Sequence, residues 1–183
     1  LTSVGNLTVS GASQNLTTTV TGANSTTTLG ATTVRGALDV NATGNVLQTG
    51  ALAVTGISDI SATTGSIALN NAGNSLTGAV AVSATDVTLR TVGALSVSGT
   101  ATNNLTLTAG GDITQSAALN VTGTANLTST GDITLNNAAN SFTGAVTAAA
   151  DDVRLNTTGA LTAAITATGD ATLTSVGNLT VSG

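Results

Sequence analysis

The chain has 183 residues and a formal net charge of −5, carried by eight Asp against three Arg, and its one aromatic is Phe142. It holds no Cys, His, Lys, Glu, Tyr, Trp, Met or Pro. That inventory excludes a disulfide scaffold, a basic surface for nucleic acid, most general bases and nucleophiles, and a wide aromatic core.

The apolar residues are mostly Ala, Val and Leu, and the remainder is dominated by Thr, Ser, Asn and Gly. A mean hydropathy of +0.38 and ordered alternation of β-branched residues argue for strands and against disorder. No apolar run approaches the roughly 18 residues of a membrane span, and no leader segment is recognisable.

Taken in chain order, the first element is LTSVGNLTVSG at residues 1–11, in which Leu7 and Val9 alternate with Thr8. Period-two alternation predicts a strand with one buried face. Threonine runs follow at Thr17-Thr18-Thr19 and Thr26-Thr27-Thr28, then GNVLQTGALAVTG at 44–56 and GSIALNNAGNSLTGAV at 65–80. After TDVTLRTVGAL at 85–95 the pattern returns: GDITQSAALNVTG at 111–123, GDITLNNAANSFTGAV at 131–146 and DDVRLNTTGAL at 151–161. The chain then repeats its opening eleven residues, letter for letter, at 173–183.

Two repeat lengths emerge. A unit of about 66 residues divides the chain into approximately 1–50, 51–117 and 118–183. A larger period of 172 residues separates Leu1 from Leu173, which predicts one solenoid segment over 1–183 within an array that continues in both directions.

Short strands punctuated by Gly, Asn and Asp predict an all-β parallel β-helix of about eight or nine coils, because Gly and Asn supply tight corners. One strand position is expected at Leu16, Leu38, Ile60, Val87, Leu105, Leu127, Val153 and Ala171. A second is expected at Leu7, Val46, Ile67, Leu95, Ile113, Ile133, Leu161 and Leu179. Spacings on this threading run from about 15 to about 28 residues, compatible with solenoid coils. The NNAxNS stretches at 70–80 and 136–146 are expected to form an enlarged corner or a wider third face that holds Phe142. A β-sandwich is the competing architecture, and it offers no reason for the 172-residue recurrence.

GDITLNNAANSFTGAV, LTLTAGGDITQSAALNVTGTANLTSTGDI and GNLTVSG together resemble the long repeat regions of filamentous-haemagglutinin-type adhesins of Gram-negative bacteria. The resemblance covers essentially the whole chain. It implies a right-handed parallel β-helix, export by two-partner secretion, and a surface fibre or stalk acting in adhesion, cell–cell contact or biofilm cohesion. It also implies an extracellular location and a host or cell-surface receptor.

Candidate sites are few. The Asp residues are expected at corners, accepting backbone N–H bonds, with Asp112 and Asp132 on adjacent coils and calcium ligation at Asp112, Asp132 and Asp152 as a secondary reading. No catalytic residue and no cofactor is expected. Nine Asn-x-Ser/Thr sequons mark possible glycosylation at Asn6, Asn15, Asn24, Asn41, Asn104, Asn120, Asn126, Asn156 and Asn178. Arg90 and Arg154 are expected to be solvated and to pair with Asp86 and Asp152, and Arg35 is isolated. The expected partners are neighbouring repeats or identical subunits stacked end to end, with no nucleic acid. A structural fibre module is the leading expectation. A module binding a repetitive surface, such as ice or glycan, is the alternative, motivated by the threonine runs.

Overall fold

The computed structural model describes all residues from 1 to 183. It contains 23 strands and no helix, and the strands pair in parallel as two ladders of 11 and 12 strands. The chain is a β-solenoid of about nine turns. At about 4.8 Å per coil this makes a rod of roughly 43 Å.

Alternation creates each strand. In Leu105–Ala109 the side chains of Leu105, Leu107 and Ala109 point inward and are buried, while Thr106 and Thr108 point outward. A single coil cannot cover its own apolar face. Stacking covers it and satisfies the backbone of both coils together. The result is one continuous core of 40 buried residues. One of its columns runs Leu69, Leu89, Leu107, Leu127, Ala148 and Ile165. Another runs Ala84, Ala101, Val121 and Phe142, so Phe142 is buried at 2% exposure on a column that widens along the chain.

Stacked partners lie between 17 residues apart, as Val80 and Val97, and 22 apart, as Leu16 and Leu38. The coils are therefore more regular than the 15–28 spread expected from sequence. The difference has a definite origin. Val80–Ala84 and Val146–Ala150 are full strands, whereas neither expected strand position includes a residue of them. Each omission exchanges the two columns. Val87, Leu105 and Leu127 therefore lie on the ladder of Leu7 and Val46, not that of Leu16 and Leu38. Leu95, Ile113 and Ile133 lie on the ladder of Leu16, and Val153 and Ala171 return to it.

Each NNAxNS stretch, expected as an enlarged corner or a third face, contributes a two-residue strand to one of the two ladders. Ser75–Leu76 ends a column of the 12-stranded ladder on Val54, Ser141–Phe142 ends one of the 11-stranded ladder on Val121, and there each column stops. The ends are closed by side chains. Thr91 Oγ1 accepts the Leu76 N–H at 3.4 Å and donates to the Asn74 carbonyl at 3.2 Å. Thr157 does the same for Phe142 at 3.2 Å and Asn140 at 3.3 Å. A hydroxyl thus replaces the missing strand, and the following coils are short, with Val87 and Leu105 only 18 residues apart. Where the register shifts between Val97 and Gly99, Gly99 has a φ of 119°. A Cβ there would lie 1.9 Å from the Val82 carbonyl oxygen, so only glycine fits.

Candidate functional site

The acidic residues singled out from sequence form a single line along one corner. Asp112 Oδ1 accepts the Asp132 N–H at 3.0 Å, Asp132 Oδ1 accepts the Asp152 N–H at 3.0 Å, and Asp152 Oδ1 accepts the Asp170 N–H at 2.8 Å. Each carboxylate therefore commits one oxygen to the coil above it. The corner role expected of Asp holds for these residues, whereas Asp39 and Asp59 lie in mid-strand, stacked on each other on the outer side of Leu38–Ala42 and Ser58–Ala62. The carboxylates follow the axis and converge on no common point, and no group of three is arranged to hold a metal ion. Asparagine does the same work elsewhere. Asn6, Asn15, Asn45 and Asn104 accept N–H bonds from Thr26, Ala37, Ser66 and Thr124.

This ladder sorts the sequons. Asn6, Asn15 and Asn104 are engaged at corners, Asn41 donates to Asp39 at 2.7 Å, and Asn156 points to the Asn136 carbonyl at 3.5 Å. Asn24, Asn120, Asn126 and Asn178 are exposed, as are Asn6, Asn15 and Asn41, and Asn24 adopts a positive φ of 60°.

Of the expected ion pairs, Arg154 and Asp152 are 3.3 Å apart, with side chains 46% and 29% exposed. A pair this exposed contributes about 0–1 kcal/mol. Arg90 and Asp86 do not pair. Asp86 is a corner acceptor, bound to Asn103 Nδ2 at 2.8 Å and to the Asn104 N–H at 3.1 Å.

The threonine runs do not make a regular outward grid. Thr18 and Thr27 point into the core and are fully buried. Thr17 and Thr19 are followed on the next coil by Asp39 and Asn41, and Thr26 and Thr28 by Asn45 and Leu47. Farther along, Thr88, Thr106, Asn126 and Thr147 form one outward row, and Arg90, Thr108, Thr128 and Ala149 form its neighbour. Charged, apolar and amide residues interrupt every row.

The most elaborate polar arrangement was not anticipated from sequence. Asn74 is fully buried. Its Oδ1 accepts from Gln48 Nε2 at 2.7 Å and from the Leu52 N–H at 2.9 Å. Its Nδ2 donates to Gln48 Oε1 at 3.0 Å and to the Leu69 and Arg90 carbonyls at 3.1 Å. Gln48 Oε1 also accepts the Asn71 N–H at 3.0 Å. A second copy joins Gln115, Asn137 and Asn140, with Asn140 again fully buried. Each network ties the wide NNAxNS loop to the coil below and leaves no amide group unpaired. The available signal was the coincidence of a rare Gln with each NNAxNS stretch, at equivalent places in the 66-residue unit.

Two stretches, 13–83 and 84–149, match a family described as repeats of unknown function (DUF5649). The chain belongs to that family. Each matched repeat carries one Gln–Asn network, Gln48 with Asn74 in the first and Gln115 with Asn140 in the second. Among the curated proteins and the solved structures no significant match is found.

Proposed function

We propose that the chain is a structural repeat module of an extracellular fibre or stalk, non-enzymatic, that supplies reach and rigidity for adhesion, cell–cell contact or biofilm cohesion. The observation that carries this reading is the unbroken core of 40 residues running the length of a stack whose every coil bonds to its neighbours. Such a stack resists bending and sliding because displacing one coil breaks a whole ladder. The outer surface supports the same reading. The corner carboxylates of Asp86, Asp112, Asp132 and Asp152 and the corner amides are engaged by backbone N–H groups of adjacent coils. The resemblance of GDITLNNAANSFTGAV and GNLTVSG to filamentous-haemagglutinin-type repeats supports a proposed location at the surface of a Gram-negative bacterium, with a cell-surface receptor as the proposed partner.

Imaging of the native assembly on cells tests the reading. Thin unbranched filaments that carry this sequence, detected by an antibody to it, are the expected result. A compact, freely soluble monomer as the native form overturns it.

A further inference from the structure

The segment LTSVGNLTVSG occurs at 1–11 and again at 173–183, and the two copies expose opposite sides of the same coil. The first copy is bonded to the coil above it. Thr2 lies opposite Thr19, Ser3 opposite Val20, Leu7 opposite Thr27 and Val9 opposite Leu29. The second copy is bonded to the coil below it. Leu173 lies opposite Leu155, Leu179 opposite Leu161 and Val181 opposite Ala163. Local geometry is preserved between the copies: Ser3 Oγ donates to the Gly5 carbonyl at 3.0 Å, and Ser175 Oγ to the Gly177 carbonyl at 2.9 Å. The upper side of the second copy is open, with Leu179 and Val181 47% and 52% exposed.

The spacing of the copies matches the stack. Starting from Leu7, partners follow through Thr27, Val46, Ile67, Val87, Leu105, Ala125, Val146 and Ala163 to Val181. Nine coils thus carry the column over 174 residues, from Leu7 to Val181, two more than the repeat period of 172. The column ends on Val181, two residues beyond Leu179, the sequence equivalent of Leu7. An even displacement keeps inward residues inward, whereas an odd one would turn the core to solvent.

We propose that the open edge formed by Ala171–Ser175 and Leu179–Ser182 is a docking surface for one further coil, with the sequence of residues 12–34, joined in the same stack after Gly183. In this register Thr174 faces the Thr19 of that coil, Leu179 faces its Thr27 and Val181 faces its Leu29. Asn178 accepts the N–H of its Thr26, as Asn6 does within the chain at 2.8 Å. Gly183 takes the place of Gly11, whose φ of 117° begins the path to the next coil. The inference rests on reading the chain as one unit of a longer stack and adds the register of the joint.

The test extends the full chain beyond Gly183 with residues 12–34, beside a control extended by the same residues in scrambled order. Amide exchange across Leu179–Ser182 is expected to slow by about tenfold or more in the first and not in the second. Thr174→Cys combined with Thr19→Cys in the appended copy is expected to form a disulfide, since adjacent strands suit its Cα separation. Thr174→Cys with Thr17→Cys in the appended copy is expected not to. Equal exchange in both extensions, or equal cross-linking in the slipped pair, overturns the proposal. Neither result depends on whether the native protein is filamentous, so a failure of the fibre reading remains separately visible.

Discussion

The side-chain amides of Gln48 and Asn74 hydrogen-bond to each other in both directions, at 2.7 and 3.0 Å, across 26 residues of sequence. Gln115 and Asn140 repeat the pairing at 2.8 and 3.1 Å. A fully satisfied buried amide costs little to keep and much to disrupt, because its partners lose contact with both protein and water.

Asn74→Leu is therefore expected to destabilise the chain by about 2–4 kcal/mol, leaving the Leu52 N–H and the Leu69 carbonyl unpaired. Asn140→Leu should act alike. Asn74→Asp keeps the acceptor for Leu52 but brings a carboxylate against two carbonyls that accept hydrogen bonds. Burial and those carbonyls favour the protonated form, raising the folded pKa above the unfolded one. The variant is expected to approach wild-type stability near pH 4 and to lose it as pH rises toward 7. Denaturant midpoints at the two pH values check this.

Thr18, Thr27 and Ser58 carry buried hydroxyls without a hydrogen-bond partner. Thr18 stacks under Val40, and Thr27 under Val46. Replacement by the isosteric valine removes an unsatisfied group and adds a methyl to the core. Thr18→Val and Thr27→Val are each expected to stabilise by about 1 kcal/mol, read as a raised denaturant midpoint.

Phe142 occupies the place that Leu76 holds in the preceding unit, and both are 2% exposed. Phe142→Ala is expected to cost about 3–5 kcal/mol through the cavity it leaves on Val121. Phe142→Leu restores the residue of the equivalent coil and should cost markedly less. Equal losses in the two variants would contradict the equivalence of the two short NNAxNS strands.

At the acidic corner, Asp132→Asn retains the acceptor for the Asp152 N–H and removes one charge from a column of four. It is expected to leave stability unchanged or slightly raised. Asp132→Ala removes the acceptor and should cost about 0.5–1.5 kcal/mol. A thermal melt of the three proteins at low ionic strength separates the hydrogen bond from the charge.

Much of this architecture can be read directly from Leu105-Thr106-Leu107-Thr108, where alternation alone fixes which side chains face inward. The corners were equally legible, since Asp112 and Asp132 precede Ile113 and Ile133 at the same offset. Val80–Ala84 and Val146–Ala150 escaped because each follows a polar loop through Gly-Ala, so its first residue looks like the end of a corner. Asn74 and Asn140 escaped for a different reason. Asparagine in a Gly- and Asn-rich stretch is normally an exposed turn residue, and the Gln that holds each one lies a full coil away. Arg90 was misjudged because its nearest acid, Asp86, already serves the ladder of corner acceptors.

The two-residue displacement between Leu179 and the column that ends on Val181 has a consequence for any stack of such units. Identical residues in successive units are not aligned along the axis. On the Leu7 column, a unit joined in the proposed register is shifted sideways by two positions, about 6.6 Å, so a surface feature such as the Arg154–Asp152 pair would trace a slow spiral around the stack. A ligand that grips several units at once must follow that spiral. A ligand that reads a single unit meets the same face presented in successive directions around the circumference.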